Sequence, residues 1–135
     1  MSLRNGSVTT VAQGLSCPEG VALDAQGDLF VVENPVGDEC QATFPRKAAA
    51  QLTSIRLGTP GTPYTKVAGL QSSTDGAEGG PHGLAVFGDA AFVCECPVGK
   101  ATLTRITLAS GAKTTVANLT SPSGCAVDAN GAPAT

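Results

Sequence analysis

The chain writes one phrase three times, and this limits the folds open to it. "LSCPEGVALDAQGDLFVVENPVG" (15–37) aligns with "GGPHGLAVFGDAAFVCECPVG" (79–99), and "LTSPSGCAVDANGAPAT" (119–135) begins the same text again. The shared anchor is Pro-x-Gly followed by three apolar residues: Pro18-Glu19-Gly20, Pro81-His82-Gly83 and Pro122-Ser123-Gly124. Downstream, "LTSIRL" (52–57) matches "LTRITL" (103–108), and "YTKVAGL" (64–70) matches "KTTVANL" (113–119). The opening "SVTTVAQGL" (7–15) is that last segment once more, standing before the first Pro-x-Gly. A repeat of this size is one supersecondary unit that buries its apolar face only by stacking on a neighbour.

Each unit holds four short apolar runs separated by Gly-rich turns. The runs alternate and favour Val, Ile, Leu and Thr, as strands do. "DAQGD" and "DANGA" place Gln or Asn before Gly, which signals a tight hairpin. Asp24 and Asp128 open these hairpins, and local bonds to the backbone explain both. Pro18, Pro81 and Pro122 stand 63 and then 41 residues apart, and the difference falls in the loops 38–51 and 71–80. Four antiparallel strands in about 41 residues is the size of a propeller blade. The spacing therefore predicts an all-β chain of about eleven short strands, forming about two and a half to three four-stranded blades. Blade A covers about 16–70, blade B about 79–119, the start of blade C 120–135, and an outer strand 7–15 precedes them. "VVENPVG" recurs as "VCECPVG" because the second strand of each blade stops at one turn, where Pro lacks the N–H a ladder needs.

These residues resemble a known group. "PEGVALDAQGDLFVVE" is similar to the repeat of NHL-type six-bladed β-propellers, which stand beside the gluconolactonase, strictosidine synthase-like and virginiamycin B lyase-like proteins. The order from "VAQGL" through "DGAEGGPHGLAV" is closest in pattern to NHL proteins of scytonemin biosynthesis clusters. A six-bladed ring at this repeat length needs about 250 residues, so this chain spans about half of one. Either two copies form a homodimer that completes the ring, the 7–15 strand of one latching the last blade of the other, or the chain is a piece of a longer protein.

In such a ring the innermost strands line a channel, and the loops leading into them meet at one mouth. Glu19, His82 and Ser123 then converge there and form the candidate ligand site. Gluconolactonase-like enzymes hold a metal through a Glu near their first inner strand, and "CPEG" resembles that context. The resemblance thus implies Glu19 as a metal ligand, with calcium as the cofactor. In the lyase-like members a histidine is a general acid or base, which the resemblance carries to His82 in "GGPHGL". Against these stands the plain reading of three solvated loop residues. Glu33 and Glu95 occupy equivalent places before Pro-Val-Gly, which suggests that both accept turn N–H bonds. Asp38, Glu39, Asp75 and Glu78 lie in the two long loops and form an acidic rim or simply solvate them.

Composition narrows the partners. A net charge of −3 argues against nucleic acid, which needs a basic stripe. No apolar run approaches a membrane span. The first ten residues carry no signal-peptide core; a signal trimmed ahead of them would place the protein outside the cell or in the periplasm. Five cysteines are present (17, 40, 94, 96 and 125) with no CxxC pair. Cys17 and Cys40 are a candidate disulfide, and the others read as small buried apolar groups. The leading expectation is a scaffold that binds a small molecule or protein at the channel mouth. Its rival is a metal-dependent lactonase- or lyase-like enzyme at the same place.

Overall fold

The computed structural model describes residues 6, 8–34, 50–58, 64–71, 80–96, 101–120 and 126–134. Ten strands occupy them: β1 (Pro18–Leu23), β2 (Leu29–Glu33), β3 (Gln51–Ile55), β4 (Thr65–Gly69), β5 (Pro81–Phe87), β6 (Ala90–Glu95), β7 (Ala101–Thr107), β8 (Lys113–Leu119), β9 (Ala126–Val127) and β10 (Pro133–Ala134). They form two four-stranded antiparallel sheets, β1-β2-β3-β4 and β5-β6-β7-β8, and a β9-β10 hairpin. The described residues contain no helix. Both β2 and β6 end on the glutamate before Pro-Val-Gly, as the repeated text predicts.

The repetition extends to irregularities. Each sheet carries a bulge between its Pro and Gly, at Pro18/Gly20 and at Pro81/Gly83. Each carries a second between its third and fourth strands, at Leu52/Thr53 and Leu103/Thr104. Identical bulges mean that the two units share a register, not only a topology. The hairpins follow their sequence signals. Asp24 Oδ1 accepts the N–H groups of Gln26 and Asp28 at 2.9 and 2.8 Å, and Gly27 takes the φ of 85° that the turn demands. Asp128 accepts from Asn130 and Ala132 in the same way, both at 2.8 Å.

One apolar core lies between the sheets. Phe30, Val32, Leu52 and Ala68 of the first meet Leu84, Ala91, Val93 and Ile106 of the second. Strand alternation turns Val21 and Leu23 the other way, and both are more than half exposed. A second cluster on the far side of the second sheet holds Phe92, Cys94 and Leu103. The first strands of the units are neighbours: β1 lies beside β5, and β5 beside β9. Residues 8–15, expected as an outer strand, carry no ladder here. Among the described residues no strand pairs with them, and Val8 is almost fully exposed.

Gly20 shows why Pro-x-Gly ends in glycine. A Cβ at this position meets the His82 carbonyl oxygen at 2.6 Å and the Leu84 Cβ at 3.2 Å, both on β5. Only a hydrogen lets β1 and β5 approach this closely. Gly20→Ala is expected to force the sheets apart and destabilise the chain by about 1–3 kcal/mol. Chemical denaturation checks this, and an unchanged midpoint contradicts the close packing.

Candidate functional site

The Pro-x-Gly bulges set the first site. Glu19 and His82 are the extra residues of their bulges, so neither has a partner across its ladder. A bulge turns its side chain out of the regular alternation. Here the two turn toward each other, with Glu19 Oε2 and His82 Nδ1 3.6 Å apart and each side chain about one-third exposed. The carboxylate and imidazole form an acid–base pair open to solvent at the start of β1 and β5. Ser123, the third expected member, lies outside the described residues.

Two further features border this pair. Cys17 adopts φ 51°, a left-handed conformation that costs a residue with a side chain roughly 1–2 kcal/mol. It is disulfide-bonded, while Cys94 and Cys96 are thiols; Cys40, its expected partner, lies outside the described residues. Asn34 is fully buried, with its side chain against Gly80 and its Oδ1 without a hydrogen-bond partner among the described residues. Sequence reasoning passed over Asn34. The signal was its replacement by Cys96, one of the two differences between the repeated phrases, the other being Val32 against Cys94.

The implied calcium can be tested on these donors. A calcium ion takes six to eight oxygens. Glu19 supplies two, its neighbour is an imidazole, and no group of three or more acidic, histidine or cysteine side chains suited to a metal occurs among the described residues. These residues do not make a calcium cage. Asp38, Glu39, Asp75 and Glu78 fall outside the described residues.

The paired glutamates form a different arrangement. Glu33 is buried and fully engaged. Its Oε2 accepts the backbone N–H of Ser16 at 2.6 Å, and its Oε1 accepts the Gln51 side-chain amide at 2.8 Å and the Thr53 hydroxyl. Glu95 is buried likewise and meets the repeat-equivalent groups, the Gln71 backbone N–H and the Thr104 hydroxyl. Both backbone donors come from outside the Pro-Val-Gly turn, whose residues lie outside those described. They stand in the equivalent text "GLS" and "GLQ"; Gln71 follows β4, so its bond to Glu95 links the first sheet to the second. Yet Glu95 Oε1 has no hydrogen-bond partner among the described residues. Burial raises the Glu95 carboxyl above its ordinary value, against the lowering influence of Gln71, Thr104 and Lys113.

No known family model matches this chain, and no curated protein matches it significantly.

Removing the Glu33 carboxylate takes the acceptor from the Ser16 N–H, the Gln51 amide and the buried Thr53 hydroxyl. Glu33→Ala is expected to cost about 3 kcal/mol by denaturation; a loss near zero contradicts the clasp. Glu95 gives a pH test. Its folded-state proton affinity is raised, so the folded state holds the proton after the unfolded chain has released it. Stability then falls as pH rises from about 4.5 through the raised folded value. Glu95→Gln is expected to remove that decline, which melting temperatures across pH 4 to 8 will reveal.

Proposed function

We propose that this chain is a segment of a β-propeller that binds a polar ligand or protein partner through Glu19 and His82. The observation that carries this reading is the pair of matched bulges, which present unlike polar side chains side by side at the same end of adjacent first strands. Bulges next to sites re-aim side chains, and the strained Cys17 one residue before the first strand fits a site held by its surroundings. Support for the propeller is the face-to-face packing of two equal sheets, with β1, β5 and β9 as successive neighbours. The NHL-like repeat text supports the same geometry.

The enzyme reading draws on the same pair. A carboxylate 3.6 Å from an imidazole can orient it for proton transfer. In the metal-dependent form it needs oxygen donors beyond the described residues.

The exposed part of β1 bears on assembly. Val21 and Leu23 are exposed there, where stacked units bury such residues. The reading assigns their cover to another repeat, supplied by a second copy in a homodimer.

Calcium and light scattering test both parts. Since His82 is the sole histidine, its ring protons report this place alone. Glu19→Gln is expected to shift them, while calcium leaves the wild-type melting temperature unchanged. Calcium stabilisation that vanishes in Glu19→Gln would instead establish the metal site and overturn the scaffold reading. Light scattering is expected to give a dimer, and a well-folded monomer at micromolar concentration rules the homodimer out.

A further inference from the structure

The second sheet contains a pocket that the first explains. It has a volume of about 230 Å³ and is lined by Gln71, Glu95, Thr102, Thr104, Lys113 and Thr115. Glu95 belongs to this lining, and its buried Oε1 lacks a hydrogen-bond partner among the described residues. An unsatisfied buried acceptor is uncommon and destabilising.

Register identifies what is missing. Glu33 stands opposite Gln51 in the β2–β3 ladder, and Glu95 stands opposite Thr102 in the β6–β7 ladder. In the first sheet the Gln51 amide donates to Glu33 Oε1 at 2.8 Å. Thr102 is too short to repeat that bond. One strand further, Lys66 lies opposite Thr53 while the smaller Thr115 lies opposite Thr104. Two shortened side chains therefore coincide with the pocket, and one of them removes the donor that the carboxylate has in the other sheet.

We propose that this pocket binds a compact molecule bearing a primary carboxamide, whose N–H group donates to the Glu95 carboxyl group as the Gln51 amide donates to Glu33 in the first sheet. The lining selects this chemistry. The Lys113 ammonium opposes a cationic amine. It bonds the Gly69 carbonyl at 2.6 Å and keeps further N–H donors for the amide oxygen. The hydroxyls of Thr102, Thr104 and Thr115 can donate or accept around the group. The volume is several times the roughly 30 Å³ share of one water, so it has room for more than a bridging solvent molecule. The site is separate from Glu19 and His82, and its fate does not depend on theirs.

The test uses isotope-labelled full chain titrated with propionamide and with 2-butanone, which has the same shape but no N–H donor. Propionamide is expected to bind saturably and to move the backbone signals of Gln71, Thr102, Thr104 and Thr115. Butanone is expected to bind at least about tenfold more weakly, the loss of one good hydrogen bond, or about 1.4 kcal/mol. Thr102→Gln supplies the amide from the chain itself and is expected to weaken propionamide binding by at least about tenfold. Equal affinity for the amide and the ketone, no saturable binding, or undiminished binding in folded Thr102→Gln overturns the proposal. Should that variant fail to fold, the wild-type comparison of amide with ketone decides alone.

Discussion

A buried carboxylate of the second sheet, Glu95, takes a hydrogen bond from the end of the first sheet and ties the two together. Glu33 receives the Ser16 N–H, and Glu95 meets the Gln71 N–H from the end of the first sheet. Apolar contact between two sheets is non-directional, so it tolerates sliding. A buried charge does not, because losing its donors costs several kcal/mol. The Glu95 bond therefore adds direction to an oily contact between the sheets, while Glu33 fixes the entry of the chain into its own sheet. The β4–β8 side repeats the theme: Lys113 reaches the Gly69 carbonyl, and the equivalent Tyr64 hydroxyl receives the Gln13 N–H.

The fold was legible because turn and strand signals recur. Pro-x-Gly, Asp-x-x-Gly and Glu before Pro-Val-Gly each fall where the same local geometry is needed twice. Strand limits followed closely, with β2 and β6 ending on their glutamates. Residues 8–15 differ because a strand is a property of a pair. Their text matches β4 and β8, but the described chain offers no partner for a ladder.

The site was legible in part. Pro-x-Gly picked out Glu19 and His82, although the bulges that aim them were not readable from one strand alone. A bulge depends on the opposing strand and on how closely Gly20 lets β5 approach. The equivalence of Glu33 and Glu95 was plain, but it hid their difference. That difference resides across the ladder, in Gln51 against Thr102, and a side chain's vacancy appears only once two strands are set side by side.

The bulged position has a consequence for how such a chain can change. Pro and Gly on either side are fixed by the ladder and by the neighbouring strand, whereas the residue between them answers to neither. Glutamate and histidine occupy it in the described units without altering the register around them. Architecture and chemistry are thus written in separate letters of the same tripeptide. A lineage can rewrite the middle letter one unit at a time, and so explore combinations of charge and hydrogen bonding around a common rim while the frame stays constant.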